Sequence, residues 1–106
     1  MRLLLKTILT QLKLELKNYY GNRLNQLILF GSQARGDAHP DSDIDVLVVL
    51  NGLVNIGEEI ENTSPIVANL SLEKDVVINC IFMDEDRFNR RFGPLLRNIR
   101  QEGITI

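Results

Sequence analysis

Two short apolar runs on either side of a glycine-rich segment constrain the fold of this chain more than any other feature. The runs cover residues 27–30 and 46–50, and between them lie GSQARG at 31–36 and SDID at 42–45. Each run is too short and too apolar for a surface helix, so we predict buried strands over 24–30 and 44–50. The connection is then a tight turn, a short helix that begins at residues 32–35, and a loop containing a proline.

The remaining periodicity predicts helices and a third strand. Residues 2–20 carry apolar side chains at three- and four-residue steps and lysines on the opposite face, which is typical of an amphipathic helix. A second helix is predicted over 53–70, with a kink or break at Pro65 because proline lacks an amide proton. Valine and isoleucine over 74–83 indicate a strand, and Asp84 is expected to cap a last helix over 85–100, irregular at Gly93-Pro94.

The order of these elements predicts the fold class. Helices and strands alternate as α-β-α-β-α-β-α, with a short terminal strand possible at 104–106, so we expect an α/β (α+β) fold: a mixed sheet with helices packed on it. The length of 106 residues suits one domain, residues 1–106. The predicted inward-facing residues are Leu5, Ile8, Leu9, Leu12, Leu16, Tyr19, Ile56, Ile60, Val67, Leu70, Phe88, Phe92, Leu95, Leu96 and Ile99.

Charge and cysteine content narrow the classes of function. The net charge is −2, without the clustered basic excess of a phosphate-backbone binding surface, so we expect a nucleotide rather than a long nucleic acid as substrate. The arginines of the last helix are interspersed with acids and are interpreted as a solvated face. The single cysteine, Cys80, excludes an internal disulfide, and no apolar run reaches membrane-spanning length. These features favour a cytoplasmic protein that does not contact a membrane.

The glycine-rich turn has the composition of a phosphate-binding turn. Backbone amides that point outward at a helix N-terminus bind anions. Gly31 would let phosphates approach closely, Ser32 would add a hydroxyl donor, Arg35 a positive charge, and Gly36 a sharp exit. The alternative is an ordinary strand-to-helix turn, which would not require the acids downstream.

Asp43 and Asp45 have the spacing of a metal-binding pair. Two residues apart on a strand, their side chains point to one face. Carboxylates side by side repel each other unless a cation lies between them, and oxygen ligands together with phosphates suit Mg²⁺. A turn followed by a solvated strand end would explain Asp43, but not Asp45, which interrupts an apolar strand.

Together these motifs resemble those of the DNA polymerase β-like nucleotidyltransferases, and within them the minimal nucleotidyltransferase (MNT) proteins. The resemblance implies a third carboxylate on the next strand, for which Asp75 is the matching residue and Glu73 the competitor. It implies that Asp43, Asp45 and Asp75 bind one or two Mg²⁺ ions and catalyse in-line transfer of a nucleotidyl group from ATP. Gly31, Ser32, Arg35 and Gly36 would bind the nucleotide together with Asp43 and Asp45.

The resemblance also implies a partner. MNT proteins are often paired with a small helical HEPN protein, a ribonuclease toxin that the MNT antitoxin neutralises, in some cases by adding AMP to a tyrosine. Two alternatives remain open at this point. The chain could be a non-catalytic nucleotide-binding antitoxin that covers its partner, or a small-molecule nucleotidyltransferase, which the short chain without an acceptor-binding module argues against.

Overall fold

The element order follows the predicted alternation of helices and strands. The computed structural model describes residues 2–39 and 41–106. Its elements are α1 Leu3–Tyr20, β1 Leu24–Phe30, α2 Ser32–Arg35, β2 Ile44–Leu50, α3 Ile56–Lys74, β3 Ile78–Asp84, α4 Glu85–Arg90, α5 Pro94–Glu102 and β4 Ile104–Thr105, with a 3₁₀ turn at Gly21–Arg23. The predicted α/β (α+β) class is confirmed. No helix within the described ranges combines the length and apolarity needed to cross a bilayer.

The four strands form one mixed sheet in the order β3-β2-β1-β4. β1 runs antiparallel to both β2 and β4, whereas β2 and β3 are parallel. In this register Phe30 pairs with Asp45, and Asp45 pairs with Asn79. The end of β1 and the starts of β2 and β3 therefore meet at one end of the sheet.

Helices cover both faces of the sheet. One face packs against α1 and α3, and the other against α4 and α5. Side chains alternate along β2 between the two faces. Val46 and Val48 enter the first core, which lies between the sheet and helices α1 and α3. Leu47 and Val49 enter the second core, between the sheet and helices α4 and α5. Asp45 shares the face of Leu47, but it lies at the end of the sheet and is only partly buried. A polar site at this position costs the core little.

Helix α3 departs from the prediction in its bounds and in its buried face. It begins at Ile56, where the Asn55 side chain accepts a hydrogen bond from the Glu58 amide at 3.1 Å, and it continues through Pro65 without a break. Ile56 and Ile60 are exposed, whereas Glu59 and Thr63 are buried with Leu70. The buried face, packed on the first core, offsets the hydrogen bond that the proline removes.

The last predicted helix is two helices. Gly93, with φ 145°, separates α4 from α5, and Pro94 occupies the first turn of α5. The Asp84 carboxylate accepts from the Arg87 amide at 2.7 Å, which confirms the predicted cap. Leu96 and Ile99 are buried as predicted, but Phe92 is 86% exposed, because the separation of the helices turns it away from the sheet.

A buried hydrogen-bond network joins α1 to α3. Tyr20, and not Tyr19 as predicted, is the buried tyrosine at the end of α1. Its hydroxyl donates to Glu59 at 2.9 Å, and Arg23 lies 3.5 Å from the other Glu59 oxygen. Burial, reinforced by the bond to Glu59, raises the pKa of Tyr20. The buried Glu59 carboxylate is thus satisfied by residues that are distant in sequence.

We expect Tyr20→Phe to lower the free energy of unfolding by about 1–3 kcal/mol, because it leaves a buried carboxylate oxygen without its donor. Urea unfolding followed by circular dichroism measures the change. Tyr19→Phe is the matched control, since Tyr19 is 47% exposed and its loss of a hydroxyl should cost little. Equal unfolding free energies for the two variants would contradict the role given to the network.

Candidate active site

The turn from β1 to α2 requires glycine at its first position. Gly31 has φ 73° and ψ −158°, and a Cβ atom there would lie 2.6 Å from the Asp45 Oδ2 oxygen. No other residue fits without moving that carboxylate. The structure therefore places the turn in direct contact with the acidic pair.

Helix α2 begins directly after Gly31. The amides of Ala34 and Arg35 both donate to the Gly31 carbonyl at 3.1 Å, and the Gly36 amide donates to Ser32 at 3.0 Å. The amides of Ser32 and Gln33, at the start of α2, find no acceptor carbonyl within the turn. They are the groups of this turn that can donate to an anion.

Gln33 connects this turn to the acidic segment. Its side chain is 8% exposed, and its amide nitrogen donates to the Ser42 carbonyl at 3.1 Å. Ser42 directly precedes Asp43, so the bond fixes the start of β2 against α2. No local pattern in the sequence indicates this role of Gln33, because only the folded loop brings residues 33 and 42 together.

Asp43 and Asp45 lie side by side, as their spacing predicts. Ile44 between them is buried, and its amide donates to the Val77 carbonyl at 2.8 Å. One side-chain nitrogen, Nδ2 of Asn79, lies 3.0 Å from Asp43 Oδ2 and 3.4 Å from Asp45 Oδ1. Both carboxylates are thus within reach of a single group.

The predicted position of Asp75 at the head of β3 is wrong. Helix α3 extends to Lys74, and Asp75 is an exposed residue that follows it with left-handed backbone angles, φ 53° and ψ 51°. β3 begins only at Ile78. Glu73 lies in the last turn of α3, where its carboxylate is 3.6 Å from Lys74. Residues 2–39 and 41–106 contain no group of three His, Cys, Asp or Glu side chains that could hold a metal ion.

Asn79 occupies the place on β3 that was assigned to the third acid, since it pairs with Asp45 in the parallel ladder. The predicted strand starts at residue 74 and so assigns this place to Asp75 instead of Asn79. A signal was present: Asn79 interrupts an apolar strand as Asp45 does. The site consists of two carboxylates and one amide.

The donor set suits a hard divalent cation. Two carboxylates close enough to share one amide present oxygen ligands on one side, which is the chemistry that Mg²⁺ prefers. The Gly31 turn approaches Asp45 so closely that a Cβ atom at residue 31 would collide with the Asp45 carboxylate. The residues present therefore fit a divalent cation.

Comparison with known proteins agrees with this geometry. The family model for nucleotidyltransferase domains matches residues 9–105. The chain belongs to this family. The predicted resemblance is thereby confirmed, and the chain is a nucleotidyltransferase.

Two relatives are similar in sequence to this nucleotidyltransferase. A Methanocaldococcus jannaschii protein named "Putative protein adenylyltransferase MJ0604" is 40% identical over 92 residues, 86% of each chain. Protein adenylyltransferase MntA of Thermococcus cleftensis is 36% identical over 74 residues, 70% of this chain and 73% of the relative.

Two solved structures share the fold. A toxin–antitoxin structure with AMP-PNP has a TM-score of 0.61 at 18% identity, covering 89% of this chain and 68% of that one. A "putative nucleotidyltransferase" from Sulfolobus solfataricus has a TM-score of 0.61 at 21% identity, covering 99% and 86%.

Arg35 of the nucleotidyltransferase makes ion pairs within its own chain. Its guanidinium lies 3.2 Å from Asp37 and 3.5 Å from Glu102, and the hydrogen bond and charge of Asp37, followed by Glu102, raise the pKa of Arg35. These side chains are exposed to solvent, so the pairs are weak and a phosphate can compete for the guanidinium.

A groove of the nucleotidyltransferase lies between α3 and β3. It has a volume of about 280 Å³ and shares Asn79 with the site. The residues that line it are Ile60, Thr63, Ser64, Val67, Ala68, Ile78, Asn79, Cys80 and Phe82. Burial raises the pKa of the Cys80 thiol to about 12, so the thiol stays protonated at neutral pH.

Proposed function

We propose that this domain transfers AMP from ATP to a hydroxyl group of a toxin protein and acts as the antitoxin of the pair. The observation that carries the proposal is the contact between the Gly31 turn and Asp45, which brings the glycine-rich turn and a pair of carboxylates to one point. The relatives named protein adenylyltransferases and the fold shared with a toxin–antitoxin complex support it.

The residues of the turn and of β2 have different roles in the transfer. Asp43 and Asp45 would hold a Mg²⁺ ion, which neutralises charge on the triphosphate. The Ser32 hydroxyl and the first amides of α2 donate to phosphate oxygens, and Arg35 supplies a positive charge. The acceptor hydroxyl loses its proton to solvent, and its oxygen forms a bond to the α-phosphorus. The bond from that phosphorus to the bridging oxygen breaks, and pyrophosphate leaves. Positioning and charge neutralisation supply most of the rate.

We propose a tyrosine of a HEPN-family toxin as the acceptor, in the cytoplasm. The partner follows from the resemblance to MNT proteins. The acceptor has physical support: β3 contributes the amide of Asn79, and not a carboxylate base, beside Asp45. A phenol, with a pKa of about 10, needs less help in losing its proton than an aliphatic hydroxyl does.

We expect Ser32→Ala to weaken binding of Mg²⁺-ATP by about 1.5–3 kcal/mol, the contribution of one hydrogen bond to a charged group. Calorimetric titration measures it. Thr10→Ala, which removes a hydroxyl from the exposed face of α1, is the control and should bind as the unsubstituted protein does. Equal affinities for all three proteins would mean that the Ser32 hydroxyl does not contact the nucleotide.

Radiolabelled ATP tests the reaction class. The protein is incubated with Mg²⁺, the candidate toxin and ATP labelled at either the α- or the γ-phosphate. Transfer of AMP predicts α-label on the toxin, no γ-label, and loss of both product and pyrophosphate when EDTA is added. A γ-labelled toxin would contradict the proposal in favour of phosphoryl transfer. An unlabelled but silenced toxin would favour neutralisation by complex formation alone.

A further inference from the structure

The Asn79 side chain bridges the two carboxylates. Its Nδ2 atom donates to Asp43 at 3.0 Å and to Asp45 at 3.4 Å. Ionised carboxylates only accept hydrogen bonds, so the NH₂ end of the amide must face them. The orientation of Asn79 is therefore set by its neighbours.

The amide takes a role that a cation would otherwise fill. Two carboxylates at this separation repel each other, and a shared donor reduces that repulsion. Among the ion pairs of residues 2–39 and 41–106, none involves Asp43 or Asp45, so Asn79 is the donor that the structure gives them. A cation that binds Oδ2 of Asp43 and Oδ1 of Asp45 must displace this amide from both carboxylates.

We propose that Asn79 makes cation binding depend on the nucleotide, so that the site takes up its divalent cation together with the triphosphate and not before it. This inference rests on the proposed function. Two carboxylates supply only part of the ligands that a divalent cation takes, and binding through these oxygens also costs the two hydrogen bonds from the amide. The missing ligands then come from phosphate and water. Mg²⁺ is commonly bound in this way, through one or two carboxylates plus substrate phosphates.

A third carboxylate at position 79 would let the cation bind without the nucleotide. Asn79→Asp replaces a donor by a ligand of nearly the same shape and adds one negative charge beside Asp45. We expect it to bind Mn²⁺ without nucleotide at least about tenfold more tightly than the unsubstituted protein, because affinity rises with ligand charge. Electron paramagnetic resonance of free Mn²⁺ measures binding with and without a non-hydrolysable ATP analogue.

Two control variants distinguish the effect of position 79 from the effect of one added negative charge. Asn18→Asp adds the same charge to the exposed end of α1, which lies toward Arg23 and the far end of β2, and it should leave Mn²⁺ binding unchanged. Asn79→Ala removes the donor without adding a ligand. We expect it to bind Mn²⁺ and the analogue at least as tightly as the unsubstituted protein and to melt at a lower temperature without Mn²⁺. A loss of more than about tenfold in its Mn²⁺ affinity would show that Asn79 ligates the cation, and would overturn the inference.

The Asp45→Asn variant distinguishes this inference from the function on which it rests. If Asp45→Asn binds Mn²⁺ and the analogue as the unsubstituted protein does, the proposed metal site itself is wrong. If Asp45→Asn loses that binding while Asn79→Asp binds Mn²⁺ alone no more tightly than the unsubstituted protein, only the role of Asn79 is overturned. Equal affinity of the unsubstituted protein for Mn²⁺ with and without the analogue would also overturn it.

Discussion

Asp45→Asn is expected to reduce nucleotidyl transfer by at least about a thousandfold. It removes one of the two carboxylate charges that would hold Mg²⁺, and the transition state loses the corresponding electrostatic stabilisation. The substitution keeps the shape of the side chain, so the fold should persist. Without metal the melting temperature should stay level or rise, because repulsion from Asp43 is removed. Initial rates of toxin modification and differential scanning fluorimetry measure the two effects.

Asp75→Asn is the matched comparison for Asp45→Asn. Asp75 lies after α3 in a left-handed conformation that asparagine also tolerates, and it is not on β3. We expect its transfer rate to remain close to that of the unsubstituted protein. A loss in Asp75→Asn as large as that in Asp45→Asn would contradict the assignment of the site to Asp43, Asp45 and their neighbour Asn79.

Gly31→Ala is expected to reduce transfer by at least about a hundredfold, because its Cβ would lie 2.6 Å from Asp45 Oδ2 and must push the carboxylate out of place. Its positive φ should also lower the free energy of unfolding by about 1–3 kcal/mol. The measurements are the transfer rate and urea unfolding.

The Gly52→Ala variant introduces backbone strain without a collision between the new Cβ atom and a neighbouring side chain. Gly52 has φ 81°, but a Cβ there would meet nothing within 4 Å, and the residue follows the far end of β2. We expect Gly52→Ala to have a lower free energy of unfolding and an unchanged transfer rate. If Gly31→Ala retains full transfer, or if both variants lose it equally, then the contact between the turn and Asp45 does not matter for the reaction.

The first half of the site could be predicted because its signals are local. The bounds of β1, α2 and β2 match the expected ones, since short apolar runs flanked by glycine and by an acidic loop leave few other conformations. The pairing of Asp43 and Asp45 follows from strand alternation alone. None of these features depends on a distant part of the chain.

The second half depends on contacts between distant residues. Val76 and Val77 have the composition of a strand, but they lie in the connection that follows α3, and the parallel register with β2 decides that Asn79 meets Asp45. Glu59 is buried for a similar reason, since Tyr20 and Arg23 satisfy it across a long sequence separation. Local periodicity carries no information about either partner.

The mass of the toxin isolated from cells that also express this protein tests the central claim most directly. Intact mass spectrometry should show the toxin heavier by one adenylyl group, and fragmentation of its peptides should place the group on a tyrosine. The same toxin expressed with the Asp43→Asn, Asp45→Asn double variant should be unmodified. A toxin that is silenced by the unsubstituted protein yet carries no added mass would contradict the account.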